Sequence, residues 1–486
     1  MFESFLSSFS CDRLRAVFLY QPESPLLFST GFFFFLFIGF FLIYRSLRRH
    51  TVARILYVTL FSLYFYYKTS GLCFLLLIFT ATSDFLIAQG MSASGTKVRR
   101  KAYAALSVCV NLGLLGYFKY TGFLHSLWII CQQQAGSLLH IPSWEHLTPA
   151  SPVDIFLPVG LALFTVQWRS YTSDGDGGRL QPLRRWIDYL FYISFFPGLV
   201  AGPIVRARDF IPQMYRPPAL TRLQLGEGLY LILCGLMKKC ILSDYISLNF
   251  VDRVFDAPAL YTGLENLLGV YGYALQIYCD FSGYSDMAIG IALLLGIRFH
   301  ANFDSPYRSA TITEFWRRWH ISLSAWLKDY LYISLGGNRR GTFRTYVNLI
   351  VTMLLGGLWH GAAFRFILWG GIHGVALAVH KWIMKCFPGF KREGKEMKPL
   401  RRILGVICTF HIVCFGWIFF RSDSVDTGMT LLKQIFTNFR PEIFPQFIDG
   451  YRSVFLLMLG GYAIHFLPRR IDMYVQRAVT HSPLLL

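Results

Sequence analysis

The chain has 486 residues, 54% of them hydrophobic and only 15% charged, with a mean hydropathy of +0.43. Soluble domains carry roughly 25% charged residues, so this composition excludes an ordinary soluble enzyme and points to an integral membrane protein. The formal charge of +20 sits in short clusters between apolar runs, the pattern of cytoplasmic loops rather than of nucleic-acid binding.

The first long apolar run, "STGFFFFLFIGFFLIY" from Ser29 to Tyr44, is uncharged. It starts late and lacks a basic leader, so it reads as a retained span rather than a cleaved signal. Further spans are expected near 52–67, 70–90 and 103–130. The basic loops "RSLRRHTVAR" and "KVRRK" place 45–54 and 97–101 in the cytoplasm and the N-terminus outside. A polar stretch, 132–151, follows. "VDIFLPVGLALFTVQWRSY" is short and contains Pro158 and Gly160, which suits a broken or re-entrant segment. Apolar segments then run near 186–204, 224–248, 263–297, 346–384, 403–420 and 451–467. The basic segments 172–185, 206–222, 298–345 and 385–402 are assigned to the cytoplasm.

The expected fold is an all-α integral membrane protein. It is a polytopic bundle of about ten to twelve transmembrane helices with re-entrant and interfacial pieces. The whole of 1–486 reads as a single membrane domain without internal repeats. The ten cysteines are scattered with no CxxC pair, so neither a disulfide framework nor a metal site is expected.

Three segments carry polar chemistry. "TEFWRRWHISLSAWLKDYLYISLGGNRRG" from Thr313 reads as one amphipathic helix. Trp316, Trp319, Leu323, Trp326 and Tyr330 share a face, Arg317, Ser324 and Lys328 lie on another, and His320 sits at the border. By itself this is as much an interfacial anchor as a site. The turn that follows presents Asn338 and the cations Arg339 and Arg340, suited to phosphates. In "LLGGLWHGAAF", glycines surround Trp359 and His360 inside an apolar run too long for one crossing. A break is expected there, with an imidazole between two apolar halves. Such a group is costly in a membrane and reads as functional, its neutral form fit to accept a proton. A neutral histidine bonded to a carbonyl is the plain alternative. His373, in "WGGIHG", reads as structural. "YCDFSGYSDMA" places Asp280, Ser282 and Asp286 in an apolar run. Their spacing does not make a carboxylate dyad, Gly283 is a candidate helix break, and each Asp is expected to cap a helix or pair with an Arg or His.

"NFDSPYRSATITEFWRRWHISLSAWLKDYLYISLGGNRRG" followed by "GGLWHGAAFRFILWGGIHG" resembles the membrane-bound O-acyltransferase family. The likeness is to its alginate-, peptidoglycan- and cellulose-acetylating members. "NLGLLGYFKY", "LPVGLALFTVQ" and "FFPGLVAGPIVRARDFIPQ" support it. The likeness covers about 60–421, leaving 1–59 and 422–486 as flanking helices. It implies a bundle around a transmembrane tunnel, His360 as the catalytic histidine near mid-depth, and His320 as the second signature position. Arg317, Arg339, Arg340, Asn338 and Trp359 become candidate donor contacts. Asp280, Ser282, Asp286 and His373 become structural or tunnel residues.

The resemblance also implies an enzyme of the bacterial cytoplasmic membrane with no permanently bound cofactor and no metal. It would take an acyl group from acetyl-coenzyme A or another cytoplasmic thioester and pass it outward to a cell-envelope polysaccharide, commonly with an SGNH-type extracytoplasmic acetyltransferase as partner. The chain departs from the family after "LPVG", reading "SYTSDGDGG" where relatives often have "SYxID". From the residues alone, a transporter or flippase for a lipid-linked sugar is the competing reading.

Overall fold

The computed structural model describes residues 17–139, 160–176, 182–387 and 397–481. Every element among them is helical. The described chain gathers into two compact units, one comprising residues up to 220 with 291–298, the other 221–290 with 299–486. The polar loop within 140–151, Pro158 with most of "LPVG", and 388–396 of the basic loop lie outside the described residues. So do the side chains of the divergent stretch from Thr172 onward.

In the first unit the principal helices are α1 (Gly31–Ser46), α2 (Thr51–Ser70), α3 (Phe74–Ala93), α4 (Lys97–Leu115), α5 (Thr121–Leu139), α6 (Leu161–Asp176), α7 (Trp186–Ser194) and α8 (Ala207–Met214). Phenylalanines on one side of α1 make its core. Phe33, Phe37 and Phe40 pack with Phe65 and Phe196, all buried. Two buried polar groups here show how a lipid environment is met from within. Asp84 accepts from Ser107 Oγ (2.7 Å) and Asn111 Nδ2 (2.9 Å), joining α3 to α4. Buried Arg54 donates to the carbonyls of Met214 (2.7 Å) and Arg216 (3.0 Å).

The second unit holds α9 (Arg222–Leu236), α10 (Gly263–Leu294, whose last turn belongs to the first unit), α11 (Ile312–Arg318), α12 (Ile321–Trp326), α13 (Thr342–His360), α14 (Phe364–Cys386), α15 (Pro399–Arg421), α16 (Val425–Thr437), α17 (Arg452–Phe466) and α18 (Arg469–Thr480). The break expected near His360 is present. It is a hairpin: α13 ends at His360, Gly361 and Ala363 are extended, and α14 begins at Phe364. The two helices run antiparallel and unusually close. A Cβ on Gly357 would meet the Phe366 carbonyl oxygen at 2.1 Å, and one on Gly370 would meet that of Met353 at 2.3 Å. The glycines of "LLGGLW" and "LWGGIHG" are therefore packing surfaces facing each other, the small-residue contact typical of helices in lipid.

Three expectations are corrected. The segment from Thr313 to Leu335 is not one amphipathic helix. It is α11, a break at Trp319–His320, α12, and a π-helical turn from Leu327 to Tyr332. Gly283 does not break a helix, since α10 runs unbroken through it. Gly283 instead admits α9, whose Gly235 carbonyl oxygen would lie 2.7 Å from a Cβ at 283. Asp280 and Asp286 pair with lysines rather than with Arg or His: Lys239 Nζ to Asp280 Oδ1 (2.5 Å) and Lys238 Nζ to Asp286 Oδ2 (2.6 Å).

Among the described residues, four helical stretches are long and apolar enough to cross a membrane: Thr51–Ala93, Lys97–Leu138, Phe364–Cys386 and Pro399–Arg421. The pair Arg452–Phe466 and Arg470–Thr480 is long and apolar enough only when taken together, and it is bent by 96° at its break. Of the other apolar runs, 224–248 is interrupted by π-turns, whereas α10 and α13 are continuous helices of 32 and 19 residues.

The close hairpin yields a test. Gly370→Ala is expected to lower stability by about 1–3 kcal/mol, because the clash is with backbone and cannot relax by a rotamer change. Gly39→Ala on α1, where nothing lies within 4 Å of the added carbon, is expected to be neutral or stabilising. Thermal unfolding midpoints of the purified variants in detergent measure both.

Candidate active site

The site begins with a backbone constraint. His320 has φ 42° and ψ 58°, a left-handed conformation that a residue with a Cβ rarely adopts. It is held there by the strand-like segment 302–304. The Ile321 N–H donates to the Asn302 carbonyl (2.9 Å), and the Asp304 N–H donates to the Arg318 carbonyl (3.0 Å). The Asn302 side chain completes the hold. Its Oδ1 accepts from Ser322 Oγ (2.8 Å) and from the Ser322 N–H (3.2 Å), and lies 3.2 Å from His320 Nδ1. Its Nδ2 donates to Ser285 Oγ on α10 (3.3 Å). Asn302 and His320 are each 1% exposed.

This fixes the tautomer. With Asn302 Oδ1 as the acceptor, His320 Nδ1 carries the proton and Nε2 keeps its lone pair. His320 lies outside the four membrane-crossing stretches. Burial lowers its pKa well below the ordinary imidazole value, and His360 acts in the same direction. The ring is therefore neutral at physiological pH. The second histidine is close enough that a charge on it opposes a charge on the first.

His360 ends α13 at the hairpin tip. Its ring meets those of Trp359 (5.0 Å), Trp369 (5.2 Å) and Phe420 (5.3 Å), each near edge-to-face. A continuous set of rings leads back to His320: Phe420 packs on Trp417 (5.3 Å), Trp417 on Trp319 (5.0 Å), Trp319 on Phe303 (5.1 Å), and Phe303 on His320 (6.4 Å). Trp417 is oriented by donating Nε1–H to Tyr307 Oη (3.2 Å), and Tyr307 donates on to the Ala274 carbonyl (2.5 Å). Arg365 steadies the far side of the box. Its guanidinium donates to the carbonyls of Phe420 (2.8 Å) and Ser422 (2.7 Å), joining the start of α14 to the end of α15.

His373 is fully buried, with ring centroids 5.0 Å from Trp369 and 5.1 Å from Trp316. It belongs to the same aromatic core. Neither of its ring nitrogens nor the indole N–H of Trp369 or Trp316 has a hydrogen-bond partner among the described residues.

The remaining residues singled out in the sequence fall elsewhere. Asn338 lies on a glycine turn, with Gly336 and Gly337 at φ 106° and 54°. Its Oδ1 accepts from Lys381 Nζ (2.6 Å) and from the Tyr332 hydroxyl. Arg339 and Arg340 are exposed on this turn. The turn sits at the base of the hairpin, about 28 Å from His360 along the 19-residue α13. Arg317 is exposed on α11. Asp280 and Asp286 neutralise lysines across the α9–α10 contact, and Ser282 is buried between them on α10. Thus His320, His360, Trp359 and His373 share one core, and the cations Arg339 and Arg340 do not join it.

Asn302, Trp417, Phe420 and Arg365 were not singled out as site residues. The asparagine sits in the quoted motif "NFDSPYRS", but a lone amide in a loop gives no sign of its partners. Trp417 and Phe420 lie in an apolar helix and look like any core aromatic.

The comparisons with known proteins bear on this geometry. The family model described as MBOAT, membrane-bound O-acyltransferase family, matches residues 182–420, which contain both histidines. A probable alginate O-acetylase of Pseudomonas aeruginosa is 38% identical over 85% of this chain and 75% of its own length. A peptidoglycan O-acetyltransferase of Helicobacter pylori is 31% identical over 94% of this chain and 86% of its own. A teichoic acid D-alanyltransferase of Bacillus subtilis is 30% identical over 63% and 80%. Extended identity of this kind, together with an all-helical chain carrying several membrane-length apolar helices, shows a multi-pass membrane acyltransferase: the chain belongs to the membrane-bound O-acyltransferase family.

Proposed function

We propose that this enzyme moves an acetyl group from a cytoplasmic thioester across the bacterial inner membrane for O-acetylation of an envelope or exported polysaccharide. The observation that carries this reading is the pair of imidazoles in one aromatic core, one kept neutral by burial with its tautomer set by Asn302, the other at a hairpin tip. The relatives named for alginate and peptidoglycan acetylation span more of the chain than the D-alanyl relative does, which favours acetyl as the group moved. The transporter alternative gives no account of two coupled histidines.

A thioester is already activated, so the protein need only hold its carbonyl within about 3.5 Å of a hydroxyl and accept the proton. His360 is the proposed base. It takes the hydroxyl proton as the oxygen attacks the carbonyl carbon. The C–S bond breaks as the tetrahedral species collapses, and the thiolate leaves with the proton from the imidazolium. His320 presents a lone pair at Nε2, so in its neutral form it accepts a hydrogen bond instead of donating one to an oxyanion. Its proposed part is to orient a hydroxyl or thiol beside His360. Arg339 and Arg340 at the hairpin base are proposed to meet the donor's phosphates, keeping its charge out of the apolar core. The SGNH-type partner would complete transfer to the polymer outside.

His360→Ala is expected to abolish O-acetylation, since general base catalysis contributes about 10²–10⁴-fold. His320→Ala is expected to cause a comparable loss. Ester content of envelope polysaccharide, measured by mass spectrometry in a deletion strain carrying each variant at wild-type protein level, decides it. Acetylation at the normal level in His360→Ala would remove that residue from the chemistry.

The role of Asn302 is separable. Asn302→Leu strands buried donors and is expected to cost about 1–3 kcal/mol of stability along with most activity. Asn302→Asp keeps an acceptor but adds a charge that raises the His320 pKa. More His320 is then protonated at a given pH, so the acid limb of the activity profile is expected to move to higher pH. A profile that drops in height without moving would reduce Asn302 to a structural role.

A further inference from the structure

Away from the histidines, the second unit carries a groove of about 340 Å³ between α10, α15 and α17. Leu268 and Tyr271 of α10 line one side. Val406, Ile407 and Phe410 of α15 and Phe455, Leu459 and Phe466 of α17 make the walls. Its polar groups are already satisfied. The Tyr271 hydroxyl lies 2.9 Å from His411 Nε2, His411 Nδ1 lies 2.8 Å from the Ile407 carbonyl, and the Tyr462 hydroxyl donates to the Tyr271 carbonyl (2.8 Å). With no polar group left to bond, the groove suits a hydrocarbon chain and not a sugar or a peptide. Ile407 and Leu459 are 49% and 59% exposed, so the groove is open along its length.

One end is flanked by cations, Arg402 on α15 and Arg470 just beyond α17. On α15, Arg402 precedes Val406 and Phe410 at four-residue steps, which continues the groove-lining stripe into a cation at the first turn. Past the stripe Phe455, Leu459, Phe466, the chain turns by 96° at Pro468 into α18, whose first turn carries the exposed Arg470. Two close contacts put these termini at the same end. A Cβ on Gly405 would touch the Ala310 carbonyl oxygen (2.6 Å), and Arg308 Nη1 donates to the Leu467 carbonyl (3.0 Å). The basic loop 385–402 leads into this end of α15, and its charge assigns the end to the cytoplasmic leaflet, where anionic lipids are concentrated.

We propose that this groove is a binding site for one anionic phospholipid, its acyl chain lying against Val406, Phe410 and Leu459 and its phosphate between Arg402 and Arg470. The site is distinct from the histidine core and independent of which acceptor the enzyme serves.

The test uses the full chain in nanodiscs of equal phosphatidylglycerol and phosphatidylcholine. It reads retained lipid by native mass spectrometry after detergent stripping. The wild type is expected to retain one phosphatidylglycerol per chain in preference to phosphatidylcholine by about fivefold for each cation engaged. Arg402→Gln is expected to lose most of that preference. Leu459→Trp, at an exposed position where the added ring fills the groove, is expected to retain neither lipid. Unfolding midpoints confirm that both variants fold. Equal retention of the two lipids by the wild type would overturn the proposal, as would undiminished retention in Leu459→Trp. So would a dimer in which a second copy covers Ile407 and Leu459.

Discussion

A single carboxamide sets the geometry on which the rest of the second unit depends. Buried polar groups must be satisfied from within, all the more where lipid surrounds the protein. Asn302 does this four times over: it takes the Ser322 N–H and hydroxyl, faces His320 Nδ1, and reaches Ser285 on α10. A non-glycine residue in the left-handed region costs energy and persists only where its surroundings over-determine it. Here they do, because the backbone of 302–304 pairs with 318–321 on both sides of the break. The same contacts that force the break also fix which nitrogen of His320 holds the proton. Structure and chemistry are set together by one residue.

The hairpin does the corresponding work for His360. Glycines at 357 and 370 remove the side chains that would separate α13 from α14. That lets Trp369 come down on the His360 ring and Phe420 close over it from α15. A Cβ on Gly361 would lie 2.0 Å from the Phe366 ring, so the turn itself has no room for a larger residue. The imidazole therefore sits among indoles and phenyls whose edges face it. The ring is half-buried there, so a substrate can reach it while the surrounding aromatic side chains lower the local polarity and strengthen electrostatic contacts.

Much of this was legible in the sequence, and the misses have physical causes. The two histidines, the break at "GGLWHG" and the all-helical membrane fold follow from charge, glycine and hydropathy, which are local signals. The amphipathic helix expected from Thr313 to Leu335 fails because a 100° wheel assumes uniform backbone. The break at His320 is imposed by Asn302, 18 residues away, and no periodicity inside the segment reports it. Gly283 was misjudged for a related reason. A glycine in an apolar helix signals either a kink or a close neighbour, and only the position of the Gly235 carbonyl decides between them. The lysine partners of Asp280 and Asp286 come from residues 41 and 48 positions upstream, beyond the reach of any spacing rule. Trp417 and Phe420 were invisible because an aromatic in an apolar span is normally core, and here it is core that also forms the site's wall.

The separation of charge from chemistry then acquires a meaning. Had Arg339 and Arg340 lain beside His360, they would favour anions there and disfavour the imidazolium that a general base must become. Instead they stand at the base of the hairpin, clasped to α14 by Lys381 through Asn338, with a membrane-scale helix between them and the imidazole. In the proposed reaction, a charged donor held at that base presents only its neutral acyl end to the aromatic core. The desolvation cost of the phosphates is never incurred. Along α13 itself, from Thr342 to His360, the one charged side chain is Arg344, near its start. The helix thus grades from an exposed, cationic foot to a half-buried, aromatic tip, and a group that must leave its charged carrier behind is the cargo such a gradient suits.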